Sequence, residues 1–290
     1  PALPVQYKDY AHWQRQKFGQ QEMEQQQAYW KTQLDGIPSR CSLNLDKPYP
    51  DVQSYAGASH HIELPEELTH QLSSVAKTMS LTPFSLLLTL FKSLLVLRTG
   101  RAEQIVGTDV ANRNHQNIES LIGFFVNQLA IRTHLSADND LLTQAKQVNQ
   151  VFIAAQNHQE VPFDRLVSEL SIERNLTHQP IFQIKMFMVD GPQLQHQLDD
   201  LALNILPTRT HSARHDITLG LVNRDGQISG EFIYNADIYL AKTIEQLCGD
   251  FLALAKHWLS QPTKSLRDIA AGIPGLQPQK APAKGPSLKD

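Results

Sequence analysis

The sequence predicts an α/β domain, and three observations predict it. Several segments carry apolar residues at helical spacing, and others are short apolar runs of strand length bounded by turn residues. These helical and strand segments do not alternate strictly, so a simple parallel doubly wound sheet is not expected. The chain has 290 residues, 41% of them hydrophobic, which is enough to build a real core.

The elements follow in order. Tyr7 to Trp13 reads as a helix, with Asp9 and Trp13 four apart on it. A Gln-rich helix from Gln20 to Leu34 ends at Asp35-Gly36-Ile37-Pro38, where Gly caps and Pro forbids continuation. Residues 38 to 58 hold Pro38, Pro48, Pro50 and Gly57 and read as an extended connector. Pro65-Glu66-Glu67 opens the next helix, which runs to about Met79, with two acids at the positive end of the helix dipole. Thr82-Pro83 starts a helix from Phe84 to Arg98 that is apolar on most faces and so belongs deep inside. Strands are expected at Gln104 to Asp109 and Val126 to Leu135, then helices at Leu141 to Gln156 and Phe163 to Leu170. Further strands fall at Ile181 to Val189, Leu201 to Leu206, Asp216 to Asn223 and Ile228 to Tyr234, the last two joined by an Arg224-Asp225-Gly226-Gln227 hairpin turn. An amphipathic helix from Ala241 to Leu259 closes the domain at 262. Residues 263–290 are Pro-, Ala- and Lys-rich and read as a flexible linker.

Bulk properties exclude several classes. A net charge of −3 without basic clusters gives no reason to expect nucleic acid or an anionic membrane surface as partner. No apolar run reaches the ~18 residues of a membrane span, and residues 1–20 are too polar for a secretory signal. Two cysteines, Cys41 and Cys248, lie far apart without ligand spacing, which fits free thiols in a reducing cytoplasm. Proline in first position fits a fragment or a processed chain.

Standard catalytic motifs are absent: no GxGxxG, P-loop, GxSxG or HExxH occurs. Ser74-Val75-Ala76-Lys77 matches SxxK but lacks its companion motifs. His60-His61 would point to opposite faces of a strand, and His211, His215 and Asp216 are spaced poorly for a metal.

Four segments stand out together. Tyr7-Lys8-Asp9-Tyr10-Ala11-His12-Trp13 resembles the fourth core motif of the condensation domains of non-ribosomal peptide synthetases. Residues 122–132, Ile-Gly-Phe-Phe-Val-Asn-Gln-Leu-Ala-Ile-Arg, resemble the fifth. His158-Gln159-Glu160-Val161-Pro162-Phe163-Asp164 resembles the sixth, and residues 174–183, beginning Arg174-Asn175, the seventh. Ile105 to Thr108, followed by Ala111-Asn112-Arg113, adds a supporting match. Departures are mild: Gln128 replaces the usual Thr, Glu160 an Asp, and Asn175 an Asp. The family's first three motifs, including HHxxxDG with its proposed catalytic His, have no match in these 290 residues.

The resemblance implies a chloramphenicol-acetyltransferase-like lobe, a mixed sheet flanked by helices, with residues 1–262 as the C-terminal, acceptor-side half of a condensation domain. It implies amide formation between carrier-bound acyl donor and aminoacyl acceptor, with no catalytic residue in this half and none of the activity in this half alone. No cofactor is expected directly; substrates would arrive on phosphopantetheine arms. Expected partners are the upstream half and the donor and acceptor carrier proteins, with self-association through an exposed lobe face. Gly123, Phe125, Asn127 and Gln128 are expected along the substrate tunnel, Asn127 either presenting its amide there or serving as a buried structural amide. Tyr7, Asp9, Trp13, Arg132, His158, Gln159, Pro162, Phe163 and Arg174 are expected to be structural: lobe packing for Asp9 and Trp13, an ion pair for Arg132, a polar turn anchor for His158 and Gln159. Two other readings stay open: a non-catalytic module recruiting a carrier or tailoring protein, and a coenzyme A-dependent acyltransferase relative.

Overall fold

A computed structural model describes residues 3–17, 20–170, 176–191, 195–198, 201–204 and 211–276. The chain opens with helices α1 (Tyr7–Lys17) and α2 (Gln21–Gln33), followed by the connector and strand β1 (Gly57–Glu63). Helices α3 (Glu66–Thr78) and α4 (Pro83–Thr99) come next, then β2 (Glu103–Val110), the short α5 (Gln116–Glu119) and β3 (Asn127–His134). Helices α6 (Leu141–Asn157) and α7 (Phe163–Glu169) lead to β4 (Ile184–Asp190). A small hairpin, β5 (Gln195–Leu198) and β6 (Leu201–Asn204), precedes β7 (Ile217–Arg224), β8 (Gln227–Asn235), α8 (Ala241–Ser260) and α9 (Leu266–Ala271).

The main sheet has the order β1-β8-β7-β4-β2-β3. It is mixed: β4 runs parallel to both β2 and β7, and the other pairs are antiparallel. Helices α4, α6 and α8 pack together against the sheet, with Phe91 of α4 and Phe251 of α8 meeting Phe232 of β8. Helix α4 starts where Thr82 accepts a hydrogen bond from the Ser85 backbone at 3.1 Å, and ends at Gly100 in the left-handed region, φ 67°. Among the described residues no single helix is long and apolar enough to cross a membrane. Asp225 and Gly226 both have positive φ, 50° and 88°, and close the β7–β8 hairpin in two residues.

Strand β1 stands where the sequence reading had only a connector running to residue 58, and several boundaries differ. Strand β4 starts at Ile184 rather than Ile181, because Ile181 itself takes φ 67° after Pro180 and turns the chain. The expected strand at 201–206 is present over Leu201–Asn204, and residues 205 and 206 lie outside the described residues. The domain does not end at 262. Ser265 caps α9 by accepting from the Asp268 N–H at 3.1 Å, and Leu266, Ile269, Ala270, Ile273 and Leu276 are buried. Trp258 of α8 donates to the Lys264 carbonyl at 2.9 Å, while Leu266 N donates to Asn139 O at 3.0 Å and ties the segment to the α6 entrance. Composition alone could not separate these residues from a linker, because a six-residue helix has too short a period to register.

Candidate functional site

The four motif segments, far apart in sequence, fold into one wall. Helix α1 supplies its first part. Asp9 accepts the Gln6 backbone N–H at 2.8 Å at the positive end of α1. Tyr7, Tyr10 and Trp13 form a tilted aromatic ladder with centroid separations of 6.1 and 5.8 Å. Tyr7 donates to the Phe124 carbonyl at 2.9 Å and meets Phe125 edge-on at 5.2 Å. At the far end of α1, Lys17 pairs with Glu160 at 2.9 Å while lying over the Trp13 ring at 4.5 Å. The first segment is thereby bound to both the fifth-motif and sixth-motif segments. Burial, the largest influence, pushes the Tyr10 hydroxyl above its ordinary pKa. Its oxygen accepts from Asn112 at 3.4 Å.

Asn127 begins β3 and holds the turn after α6. Its Nδ2 donates to the carbonyls of Gln159 (2.8 Å) and Val161 (2.7 Å), and its Oδ1 accepts from Phe163 N at 3.1 Å. Both amide donors are committed, and the side chain is buried. These contacts are those of the structural-amide alternative for Asn127. Phe125 points inward. It is 3% exposed and packs with Tyr10, Ile118 and Leu121 in a small core separate from the main one. At Gly123 a Cβ would run into the Tyr7 ring. Gln128 keeps partial exposure and sits 3.5 Å from Asp109, which pairs with Lys185 of β4 at 2.7 Å.

The expected structural residues have the following places. Arg132 binds Glu103 at 2.5 Å and donates to the carbonyls of Gln33 and Asp35, fastening the end of α2 to β3. His158 stacks on Tyr29 with centroids 4.0 Å apart, and its carbonyl accepts from Trp30 at 2.8 Å. Gln159 donates to Gln156 O at 2.8 Å. Pro162 precedes the first residue of α7, where Phe163 meets Phe182 of the seventh-motif segment at 5.3 Å. Phe182 in turn fills the space that Gly107 leaves open and lies flat on His215 at 5.4 Å and 9°. Burial drives His215 down to about 3, so its ring is neutral. Arg174 lies outside the described residues.

Beside this wall opens a cleft of about 380 Å³. Phe84, Phe152 and Met188 give it apolar surface, and Asn112, Asn114, Gln156 and Gln159 give it neutral amides. Asn112 is held in the left-handed region at φ 50°. Asp109, paired with Lys185 at 2.7 Å, and Arg113 add charge to this lining, whose amides offer both donors and acceptors. Sequence marks Asn112-Arg113 only as a supporting match; the cleft itself depends on α4, α6 and β4 meeting, which no local pattern records. Lys92 and Asp216 are buried ionisable groups elsewhere in the domain. Lys92 is completely buried, donates to Gln104 O (3.0 Å) and Ile131 O (2.7 Å), and is lowered by burial to about 7. Asp216 accepts from Tyr49 and is raised by burial to about 7.

A mixed α/β sheet of this order, with the four motif segments gathered on one wall, defines a chloramphenicol-acetyltransferase-like lobe. A family model described as Condensation domain matches residues 1–271, and the chain belongs to that family. It is 38% identical over 254 residues to a linear gramicidin synthase of Brevibacillus parabrevis, covering 87% of this chain and 3% of that one. It is 38% identical over 260 residues to the phosphinothricin tripeptide synthetase PhsC of Streptomyces viridochromogenes, covering 88% of this chain and 23% of that one. A solved four-domain nonribosomal peptide synthetase matches with a TM-score of 0.81 at 27% identity over 88% of this chain and 21% of its own. The X-domain from teicoplanin biosynthesis shares the fold with a TM-score of 0.84 at 22% identity, over 92% of this chain and 62% of its own.

Proposed function

We propose that this chain is the acceptor-side lobe of a condensation domain that forms amide bonds in non-ribosomal peptide synthesis. The observation that carries the reading is the contact network that joins the four motif segments, with Gln159 of the sixth bordering the cleft. In the reaction, an acceptor amine attacks the donor thioester carbonyl, the C–S bond breaks, the thiol leaves and the developing ammonium loses its proton. Both substrates would come on phosphopantetheine arms of donor and acceptor carrier proteins, in the cytoplasm. Holding two tethered reactants together supplies ~7–11 kcal/mol, and a general base adds ~10²–10⁴-fold. The lobe contributes to the first and carries no HHxxxDG for the second. On this reading the chain alone does not catalyse, and the upstream half supplies the base and the opposite wall.

The test loads donor and acceptor on carrier proteins and reads the carriers by mass spectrometry, with this chain alone and with an upstream half added. Product only in the combined reaction is the expected result. Product from this chain alone refutes the half-site reading. Stable carrier binding with no product under either condition favours a recruiting module instead.

A further inference from the structure

Strands β2 and β4 run parallel as neighbours, with Gly107 opposite Lys185. The cleft of about 380 Å³ opens at their carboxyl ends, lined by Thr108 to Asn114 from β2 and by Met188 from β4. Open α/β sheets take ligands in crevices at this end of parallel strands, and small-molecule sites occupy ~300–1,000 Å³. The two charged side chains of the lining are not equally available. Arg113 is turned to its own loop: it donates to the carbonyls of Ile118 (2.6 Å), Glu119 (3.1 Å) and Leu121 (2.9 Å), and its guanidinium lies 4.2 Å over Phe125. Asp109 has capacity left. Its Oδ2 takes Lys185 Nζ at 2.7 Å, while its Oδ1 meets the Gln128 amide at 3.5 Å, the outer limit of a hydrogen bond. The Asp109 side chain is also the more exposed partner, 29% against 13% for Lys185. As a whole the pair is neutral, and that restricts what can join it. An ammonium brought to Oδ1 would stand close to the Lys185 ammonium and be repelled. A purely apolar group would cover the carboxylate without giving it a partner. A neutral N–H gains a charge-assisted hydrogen bond and meets neither penalty.

We propose that this cleft receives the side chain of the acceptor amino acid and selects an uncharged carboxamide, such as that of a glutaminyl group, with Asp109 as the residue that reads it. This rests on the acceptor-lobe reading above. The methylenes of such a side chain lie against Phe84, Phe152 and Met188, and its N–H donates to Asp109 Oδ1. Its carbonyl has the Gln156 amide of the same lining as a donor. Lys185 is a positioning residue: it fixes the direction of the carboxylate and cancels its charge. The selection therefore runs against charge of either sign, because a carboxylate head meets Asp109 and an ammonium head meets Lys185.

The experiment uses this chain with isotope-labelled methionine methyl groups, read by nuclear magnetic resonance. The probes are the glutaminyl, ornithinyl, glutamyl and leucyl amides of aminopantetheine, which mimic a tethered acceptor and do not hydrolyse. Of the 4 methionines, Met188 lines the cleft, and Met79 at the end of α3 serves as the internal control. The expected result is a saturable shift of Met188 and none of Met79, with the glutaminyl probe bound about ten- to a hundredfold more tightly than the others, the factor for a hydrogen bond to a charged group. D109N should lose that margin. D109L/K185M, which leaves neither member of the pair orphaned, should prefer the leucyl probe. Unchanged melting temperatures check that both variants fold. Equal affinity for all the probes, or a glutaminyl preference that survives both variants, overturns the assignment to Asp109. Tightest binding of the ornithinyl or glutamyl probe overturns the uncharged class. No shift of Met188 with any probe, while product still forms in the carrier assay, overturns the pocket and leaves the acceptor-lobe reading standing. No shift and no product overturns both.

Discussion

Replacing Asn127 by alanine tests whether that side chain is a structural clamp or a substrate contact. The substitution removes three hydrogen bonds, to Gln159 O, Val161 O and from Phe163 N. It leaves two carbonyls and one N–H short of a partner in a buried turn. A net hydrogen bond contributes about 1 kcal/mol, and an orphaned buried group costs about 1–3 kcal/mol. Partial access of water to the turn relieves some of this, so a total loss of about 3–5 kcal/mol is expected, or roughly 6–15 °C in Tm. Thermal melting by circular dichroism reads it. The acid variant N127D sharpens the test. A carboxylate cannot donate to the two carbonyls and faces them with negative charge, so its folded-state pKa is raised. The stability it permits is present at low pH and is lost as pH rises through that pKa. N127A melting within about 2 °C of wild type would refute the clamp and return Asn127 to the cleft.

Further outcomes follow from other buried groups. Lys92 is lowered by burial to about 7 in the fold, so the folded chain binds fewer protons than the unfolded chain above that pH. Stability should therefore rise from pH 7 to 9 by on the order of 1 kcal/mol per unit from this group, and K92M should flatten that rise in urea titrations. Asp216 is raised by burial to about 7, so its contribution is complete below about pH 4 and is lost as pH climbs through 7. D216N should remove that fall, and a fall that persists unchanged would count against the assignment. In G107A the added Cβ would run into the Phe182 ring. Overpacking of this kind costs about 1–3 kcal/mol, and loosening of Phe182 should show in the near-ultraviolet spectrum. A chain ended at 262 should aggregate or melt about 10 °C or more below one ended at 276, because the apolar surface that Leu266, Ile269, Ala270, Ile273 and Leu276 cover is laid bare. Equal melting of the two would show that α9 contributes nothing.

Most of the local structure was legible because its signals are local. Thr82-Pro83 and Gly100 bracket α4, Pro162 opens α7, and Asp225-Gly226 sets the β7–β8 turn, each through backbone preferences acting within a few residues. The sheet order was not legible. Strand β4 lies between β2 and β7, whose nearest chain neighbours are helices and a hairpin, and no short-range pattern encodes that placement. The motif segments were found as words in the sequence, but the direction each side chain takes depends on the strand and turn that carry it. Asn127 illustrates the difficulty. An amide that serves a ligand and one that serves a backbone turn are the same residue, and only the presence of Gln159 O, Val161 O and Phe163 N around it decides.

Rigidity also explains why the wall is built from the family's motifs at all. Tyr7, Gly123 and Arg113 spend their hydrogen bonds and ring contacts on fixing the loop that carries Ile122 and Phe124. Asn127 and the Lys17–Glu160 pair fix the turn at 159–163, which borders the cleft through Gln159. On the proposed function, a positioning lobe would hold its surface still before a partner lobe and two tethered substrates arrive, since any motion left would be subtracted from the gain of bringing reactants together. On that reading, residues of this kind would raise the rate without touching a reacting atom. Substitution among them should therefore appear first in stability and lobe affinity, and in product yield only through those.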